Sequence, residues 1–459
     1  MRTEPAQPPP PVSPRARRAR RVLFGVGLVL VCLFAVAACS GDEPSLAPAG
    51  SSDPTGADAG SPTEIAADAN VEAEAETTAS NEVADTGSSS AASPDVDGEP
   101  VLIGVLLDTT NLMATTDRQP GVAFVEAIER IAAEGGLDGR PVEVRWVNTT
   151  SRLSVVDAEA VELIEAGADL LVVTCELDFA RPAIDRAVEA GVLVVSPCGP
   201  EIGWGSGDLG PTAFSMMPAV ETLGAVMAEH VWAEGYREIG IVVDETAPEP
   251  RAECRGFRER WNALGGRVAT ELQLNLVTAE ALAEDAARLD ALRADALVLC
   301  SFSRVADAVI ESVRGQALRV PIIAGPSLDT GVWVPEDLAA PLRDFTMLTL
   351  ASTAGDDPAD AVLAAAGEFL VADGIPPNNG RFVLGADLAA AYGIAVSRAG
   401  STDGVAVADE LRAMADEPLV SGEVTFGGRQ APATWPLRIM RYEAGTFVND
   451  GLVVDTSAQ

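Results

Sequence analysis

The chain has 459 residues, of which 47% are hydrophobic, and it carries a formal net charge of −38 with a single histidine. Acidity of this size argues against binding to nucleic acid and against electrostatic docking on anionic lipid. With one histidine and no recognisable nucleophile–base arrangement, the chain is not expected to be an enzyme, and no metal or other cofactor is expected.

Residues 1–38 have the layout of an export leader. Five arginines between Arg15 and Arg21 precede an apolar run at 22–35, and small residues then lead to Cys39. The run is short for a bilayer-spanning helix. The segment resembles a bacterial lipoprotein signal peptide, in which the cysteine is diacylated and becomes the mature N-terminus. This resemblance implies that Cys39 is lipidated and that the folded part is anchored to the outer face of the cell membrane.

The segment that follows Cys39 has the composition of a tether. From Ser40 to Pro100 the chain contains no Lys, Arg, His or aromatic residue. Such a segment buries too little apolar surface to offset the entropy lost on ordering, so we predict that residues 39–100 form a disordered acidic linker. Repulsion between its like charges keeps the linker extended and holds the folded region away from the membrane.

From residue 101 onwards, short apolar strands alternate with amphipathic helices. The first series predicts strands at 101–107, 142–147, 169–173 and 192–195, with helices at 122–133, 155–165 and 180–189. The second series predicts strands at 238–243, 267–271, 296–300 and 320–324, with helices at 221–232, 252–264, 279–292 and 305–314. Two successive βα series with right-handed crossovers predict an α/β protein with two Rossmann-like, doubly wound lobes.

The last part of the chain has fewer strands. It predicts helices at 359–371, 385–399 and 405–414, followed by strands at 423–426, 437–441 and 446–448. These helices cannot form a third core alone, so they should complete the first lobe and the chain should cross a multi-strand hinge. The predicted domains are the signal peptide 1–38, the linker 39–100, the first lobe at 101–217 and 351–436, and the second lobe at 218–350 and 437–459.

Three segments carry a family resemblance: VLIGVLL at 101–107, GVAFVEAIE at 121–129 and GGLDGRPVEV at 135–144. Further segments follow at 162–173, 190–197, 325–326, 422–426 and 441–447. In this order they resemble the type I periplasmic binding proteins, and among them the branched-chain amino acid (Leu/Ile/Val-binding) substrate-binding components of ABC importers. The resemblance covers most of residues 101–450 and weakens in the second lobe. It implies a cleft between two lobes that closes on a small solute.

In doubly wound sheets, ligands bind beyond the carboxyl ends of the strands, where loops and helix N-termini present backbone N–H groups. In this chain those loops are predicted at 108–111, 174–179, 196–204, 244–249, 300–304 and 325–329. The candidate ligand-binding residues on them are Asn111, Asp178, Phe179, Gly199, Glu201, Glu245, Ser301, Ser303, Ser327 and Asp329.

The positions that hold the ligand in amino-acid-binding members of the resembled family are changed here. The family's Ser after the third strand falls on Leu177 or Asp178, and its Thr after Ser-Pro falls on Pro200. Its second-lobe Tyr falls near Pro248, and its acid after Gly-Pro falls on Ser327. These changes argue against a standard grip on a zwitterion, and the acidic loops favour a cationic or hydroxyl-rich ligand. The alternative is that the loop acids are simply solvated.

The folded region contains four cysteines, at positions 175, 198, 254 and 300. An even number in an exported domain suggests two disulfides. Cys175 and Cys198 end neighbouring predicted strands of one lobe, whereas Cys254 and Cys300 lie at the cleft side of the other. We therefore predict the pairs 175–198 and 254–300, because a bond between the lobes would prevent closure. Four buried free thiols are the alternative.

Together the leader and the resemblance imply a lipid-anchored, monomeric solute-binding protein. It would capture a small polar solute, an amino acid or a related compound, and deliver it to an ABC permease in the membrane. Two alternatives stay open: a ligand sensor with the same fold, and a degenerate, ligand-free protein of the cell envelope.

Replacement of Cys39 by Ala tests the lipidation. The variant should no longer incorporate labelled fatty acid, because the acylated sulfur is gone, whereas the matched variant Cys32→Ala, within the apolar run, should be labelled like the wild type. The measurement is metabolic labelling with palmitate followed by purification of the protein. Equal labelling of the Cys39→Ala variant and the wild type would contradict the prediction.

Overall fold

The computed structural model of the protein describes residues 98–274, 294–315, 319–329, 342–352 and 379–454. All of them belong to one compact unit of the chain. The predicted signal peptide, Cys39, nearly all of the predicted linker and the predicted helices at 279–292 and 359–371 lie outside the described residues.

The first sheet consists of five parallel strands in the order β2-β1-β3-β4-β5. They are β1 (Val101–Leu107), β2 (Val142–Asn148), β3 (Leu170–Val173), β4 (Leu193–Ser196) and β5 (Ala213–Ser215). The helices between them are α1 (Ala114–Ala133), α2 (Leu153–Glu165), α3 (Leu177–Ala190) and the single-turn α4 (Gly203–Ser206). Ile103 and Val105 pack into one hydrophobic cluster and Leu102 and Leu106 into another, so β1 is buried on both faces. This burial explains its unbroken apolar sequence.

The second sheet repeats the same strand order, β7-β6-β8-β9-β10, with parallel neighbours throughout this part. Its strands are β6 (Glu238–Asp244), β7 (Arg267–Leu274), β8 (Ala296–Cys300), β9 (Ile322–Ala324) and β10 (Phe345–Thr349). The described helices of this lobe are α5 (Val220–Ala233), α6 (Pro248–Ala263) and α7 (Ser303–Gly315). The two lobes are therefore both doubly wound.

After β10 the chain returns to the first lobe. The next elements are α8 (Phe382–Ala399), α9 (Gly404–Ala413), the short pair β11 (Glu417–Pro418) and β12 (Glu423–Val424), and then β13 (Pro436–Glu443) and β14 (Thr446–Val454). Helix α8 packs along α1 and α9 contacts β4, whereas β13 and β14 extend the second sheet as antiparallel strands beside β10. The chain thus passes between the lobes after β5, after β10 and before β13.

Helix α8 is long and apolar enough to cross a membrane, but 67% of it is buried inside the protein. It approaches α1 so closely that a Cβ atom at Gly385 would overlap the carbonyl oxygen of Pro120. Helices α5 and α6 approach each other in the same way, because a Cβ atom at Gly256 would overlap the carbonyl oxygen of Glu221. Helix α8 is therefore a core helix of the first lobe.

The predicted fold class, two Rossmann-like lobes joined by a multi-strand hinge, is confirmed. The bounds of several elements differ from the sequence prediction, and the differences at α1 and β10 have a clear physical reason. Helix α1 begins at Ala114 rather than at residue 122, because its first turns bury the polar residues Asp117 and Gln119 and so lack an apolar pattern. Strand β10 was not predicted, because the buried threonines 346 and 349 interrupt its apolar run.

The close approach of α5 and α6 makes Gly256 a sensitive position. Gly256→Ala should lower the free energy of unfolding by roughly 1–3 kcal/mol, because the added methyl group forces the two backbones apart. Gly393→Ala in α8 is the matched control, since its Cβ atom would meet its nearest neighbour at an ordinary 3.5 Å; it should be neutral or stabilising by up to about 1 kcal/mol. Chemical denaturation measures both, and equal effects would contradict the helix–helix contact.

Candidate ligand-binding site

Acidic side chains gather at the carboxyl ends of strands in both lobes. Glu176 and Glu201 follow β3 and β4 of the first sheet, whereas Glu249 and Glu253 lie on the first turns of α6, which follows β6 of the second sheet. Burial, together with the charges of Glu201 and Glu249, raises the pKa of Glu176 to about 7. Carboxylates of the two lobes therefore act on one another electrostatically. We call the following residues the acidic cluster: Glu176, Glu201, Glu249, Glu253, Asp329 and Arg381.

Glu201 caps the N-terminus of α3. Its Oε1 atom accepts a hydrogen bond of 3.0 Å from the backbone N–H of Leu177, and its Oε2 atom accepts one of 3.2 Å from the indole Nε1 of Trp204. Leu177 is the first residue of α3, so the carboxylate meets the positive end of the helix dipole. Burial raises the pKa of Glu201 against these hydrogen bonds. The indole of Trp204 packs over Gly199, where a Cβ atom would overlap it.

Arg381, directly before α8, is the cation of the acidic cluster. Its Nη2 atom lies 2.5 Å from Oε1 of Glu249, and its Nε atom donates a hydrogen bond of 3.4 Å to the carbonyl oxygen of Asp329. The side chains of Arg381 and Glu249 are only 2% and 6% exposed. Helix α8 packs in the first lobe and α6 in the second, so this buried ion pair connects the lobes. Removal of one partner would leave an uncompensated buried charge.

Asp329 fixes the turn after β9 to the start of α8. Its Oδ2 atom accepts a hydrogen bond of 2.9 Å from the backbone N–H of Gly380 and another from the hydroxyl of Thr349 at the end of β10. Burial raises the pKa of Asp329 to about 6. The chain segment that carries Arg381 is thereby held against the second sheet.

Glu253 lies beneath the same turn. Its Oε1 atom accepts a hydrogen bond of 3.1 Å from the backbone N–H of Ser327, and a Cβ atom at position 325 would overlap this oxygen, so Gly325 leaves it room. Glu253 is fully buried, and its Oε2 atom has no hydrogen-bond partner among the described residues. Burial, reinforced by the charge of Glu249, raises the pKa of Glu253 to about 8.

Asp117 of α1 positions the segment that carries Glu176. Its Oδ1 atom accepts a hydrogen bond of 3.0 Å from the backbone N–H of Cys175, and its Oδ2 atom accepts one of 3.0 Å from that of Asp108. Burial raises the pKa of Asp117 to about 6. The carboxyl ends of β1 and β3, which flank the switch point of the first sheet, are joined through this side chain.

The cysteines come together in the predicted pairs. The Cα atoms of Cys175 and Cys198 are 4.8 Å apart, and those of Cys254 and Cys300 are 5.7 Å apart. Both separations lie in the range of disulfides. Cys175 directly precedes Glu176 and Cys254 directly follows Glu253, so each pair adjoins a residue of the acidic cluster.

Some of the residues predicted from the sequence surround the acidic cluster. Glu201 and Asp329 belong to it, the backbone N–H of Ser327 donates to Glu253, and Gly199 contacts the tryptophan bonded to Glu201.

The other predicted residues are placed differently. Asn111 and Asp178 are exposed, Phe179 is half-buried in the first turn of α3, and the half-buried Glu245 lies 3.9 Å from Nε of Arg251. The hydroxyl of Ser301 is buried and donates to the carbonyl oxygen of Phe302 at 2.9 Å, and Ser303 begins α7.

Glu176, Glu249, Glu253 and Arg381 are not among the residues predicted from the sequence to bind the ligand. Helix α6 begins at Pro248, ahead of the predicted start at 252, so the i,i+4 pair formed by Glu249 and Glu253 was divided between a loop and a helix. The available signal was the position of Glu176 and Glu253 beside cysteines. No pattern marks Arg381, because its partners are distant in the chain.

A cavity of about 260 Å³ lies elsewhere, at the amino ends of the second sheet's strands. Tyr236, Pro321 and Asp344 line it, and they precede β6, β9 and β10. His230 also lines it, and burial lowers the pKa of this imidazole. Because the amino ends of parallel strands point away from their carboxyl ends, this cavity is separate from the acidic cluster.

The family model of the periplasmic binding proteins matches residues 100–446, which make up most of the chain. The chain belongs to the periplasmic binding protein family. Comparison with curated proteins gives no match. Members of this family are solute-binding proteins and not enzymes. The family also implies a location outside the cytoplasm.

Solved structures share the fold of this periplasmic binding protein. A branched-chain amino acid ABC transporter protein of Rhodospirillum rubrum is 18% identical, with a TM-score of 0.66, over 76% of this chain and 100% of that one. The branched-chain amino acid transporter substrate-binding protein of Streptococcus pneumoniae, solved with isoleucine, is 18% identical, with a TM-score of 0.62, over 78% and 99%. A solute-binding protein of Rhodopseudomonas palustris, solved with 3,4-dihydroxybenzoic acid, is 16% identical, with a TM-score of 0.59, over 78% and 97%. These matches confirm the resemblance inferred from the sequence.

The burial of Glu253 predicts a pH-dependent stability. Its pKa of about 8 in the folded protein exceeds the ordinary 4.5, so its stabilising contribution is complete below pH 4.5 and is lost as the pH rises through 8. Between pH 5 and 8 the wild type should lose at least about 2 kcal/mol more of its unfolding free energy than Glu253→Gln does. Denaturation at both pH values measures this loss.

The matched control is Glu259→Gln, which changes an exposed carboxylate on the same helix. Its pH profile should follow that of the wild type. A Glu253→Gln profile that also follows the wild type would show that Glu253 does not titrate in this range.

Proposed function

We propose that this protein is a lipid-anchored, extracytoplasmic solute-binding protein that captures a small polar solute by lobe closure and delivers it to an ABC permease. Family membership supports solute binding and a location outside the cytoplasm. The observation that carries the proposal is the acidic cluster, whose members come from both lobes. They stand at the carboxyl ends of parallel strands, where doubly wound folds bind ligands.

The residues of the acidic cluster are divided between the two lobes, and this division supports closure of the lobes around a solute. Glu176 and Glu201 move with the first lobe and form one half-site, whereas Glu249 and Glu253 move with the second lobe and form the other half-site. Closure removes water from both half-sites, and burial makes the remaining carboxylates costly unless they are paired. A solute that hydrogen-bonds to both half-sites therefore stabilises the closed form over the open one.

The positions of the cysteine pairs are compatible with movement of one lobe relative to the other. Each pair lies within one lobe, so two disulfides would hold the loops of each half-site in place while leaving the hinge free to bend. An extracytoplasmic location favours their oxidation. The leader ending at Cys39 and the acidic composition of residues 40–100 support attachment to the membrane through a lipid and an extended tether.

Solute binding should raise the thermal unfolding midpoint of the purified full-length protein in detergent. A solute at 100 times its dissociation constant adds about 2.7 kcal/mol to the folded state. The panel contains branched-chain amino acids, aromatic acids, amides, amines, nucleosides and sugars. Arg381→Met should weaken the shift, because the loss of its buried ion pair with Glu249 removes a contact that aligns the two lobes.

Arg186→Met is the matched control, since Arg186 forms an exposed ion pair with Asp157 far from the acidic cluster. It should keep the full shift. A panel in which no solute shifts the midpoint of the wild type would contradict the proposed function and would favour a ligand-free envelope protein.

A further inference from the structure

We propose that the solute held by the acidic cluster is an organic cation without a free carboxylate, an amine or a guanidinium compound whose N–H groups pair with carboxylates of both lobes. This inference rests on the proposed function and specifies its ligand class.

The balance of charge in the acidic cluster is the first argument. Arg381 is its cation, and Glu249 already pairs with it at 2.5 Å. Glu176, Glu201 and Glu253 form no ion pair among the described residues, although each is at least half-buried and the charge of Arg381 acts on Glu176 and Glu253 from a distance. Buried carboxylates need a counter-charge or a proton. A ligand that carries positive charge supplies what the protein's own side chains in this region do not.

Glu253 gives the second, independent argument. Its Oε1 atom accepts a hydrogen bond from the backbone N–H of Ser327, whereas Oε2 is fully buried, and neither Oε2 nor the nearby hydroxyl of Ser327 has a hydrogen-bond partner of normal geometry among the described residues. Such orphaned carboxylate oxygens are rare in folded proteins, because they lose water without gaining a donor. Glu253 lies within the electrostatic range of Glu249 and Arg381, which places it at the second-lobe half of the site. An ammonium or guanidinium donor satisfies this oxygen.

The spacing of the acids distinguishes an organic cation from a metal ion. No three His, Cys, Asp or Glu side chains in the described part of the chain come close enough together to hold a metal ion. The carboxylates instead approach from different elements of two lobes, and some are occupied by their own donors, as Glu201 is by Leu177 and Trp204. An organic cation with several N–H groups can donate to carboxylates that lie apart from one another. A metal ion instead needs the carboxylate oxygens to converge on one point at coordination distance.

A free carboxylate on the ligand does not fit this site. An α-carboxylate needs a cation or several N–H donors, and the guanidinium of Arg381 is already bonded to Glu249 and to the carbonyl oxygen of Asp329. An incoming carboxylate would face the negative charges of Glu176 and Glu201. The cluster therefore favours an amine over the amino acid from which it differs only by a carboxylate.

The test compares such pairs on the full-length protein in detergent by isothermal titration calorimetry. Agmatine is arginine without its carboxylate, and cadaverine is lysine without its carboxylate. At least one of these amines should bind about tenfold or more tightly than its parent amino acid. Tighter binding of arginine, lysine, leucine or benzoate overturns the cation inference but leaves the proposed function standing. Absence of binding by every probe overturns the cation inference, and the proposed function falls with it only if the thermal-shift panel also shows no solute that binds.

Variants locate the site of the bound amine. Glu176→Gln and Glu253→Gln should each weaken binding about tenfold or more, because each loses a charge-assisted hydrogen bond. Gln has the shape of Glu and removes a buried charge, so both variants should fold, and their unfolding midpoints check this. The matched control Glu189→Gln, an exposed position at the other end of α3, should bind within about twofold of the wild type. Equal affinities for all three variants overturn the inference.

The pH dependence of agmatine binding distinguishes a direct contact between Glu176 and the amine from a purely structural role of Glu176. Glu176 has a pKa of about 7, raised by burial and by Glu201 and Glu249, with Asp117 and Arg381 also acting on it. The ionised fraction of Glu176 rises about tenfold between pH 6 and 8, and that of Glu253, whose pKa is about 8, also rises over this range, so the affinity for agmatine should rise by at least about tenfold. Glu176→Gln should make this rise about tenfold smaller, and an unchanged slope in the variant counts against the inference.

Discussion

The buried ion pair between Arg381 and Glu249 is the interaction on which the rest of this site depends. Its members stand on helices of different lobes, and neither side chain has appreciable contact with water. Two such charges remain ionised inside a protein only if they stay together. The surrounding parts serve that requirement: the carbonyl oxygen of Asp329 orients the guanidinium, and the side chain of Asp329 holds the backbone next to it.

The acidic cluster has an excess of acids around one arginine, whereas isoleucine and 3,4-dihydroxybenzoic acid, the ligands in two of the solved relatives, each carry a carboxylate. The fold is shared at less than a fifth identity, so backbone architecture and ligand chemistry are separable in this family. The carboxyl ends of the strands provide the place, and the side chains that follow them set the sign of the charge. In this protein both lobes present negative charge to the same region, and the guanidinium of Arg381 offsets only part of that charge.

Much of the architecture could be predicted from the sequence because parallel strands buried on both faces leave unbroken apolar runs, as in β1. The cysteine pairing could also be predicted: Cys175 and Cys198 follow neighbouring strands of one lobe, and Cys254 lies on the helix that follows β6, beside the end of β8 that carries Cys300. The site was harder to predict. Glu176, Glu201, Glu249 and Asp329 stand in the predicted loops, but Glu253 and Arg381 do not, and the contact between Glu249 and Arg381 joins residues more than a hundred positions apart in the chain. No local pattern encodes the partner of a buried charge, and the polar start of α1 concealed Asp117 for the same reason.

The turn after β9 couples the backbone of one position to the identity of another. The carboxyl group of Glu253 occupies the space that a side chain at position 325 would need, so Gly325 is the only residue that leaves it in place. During divergence, a mutation at 325 to any larger residue would first have to be preceded by shortening at 253. Homologous sequences should therefore combine a larger residue at position 325 with a shorter residue at position 253, and almost never with glutamate.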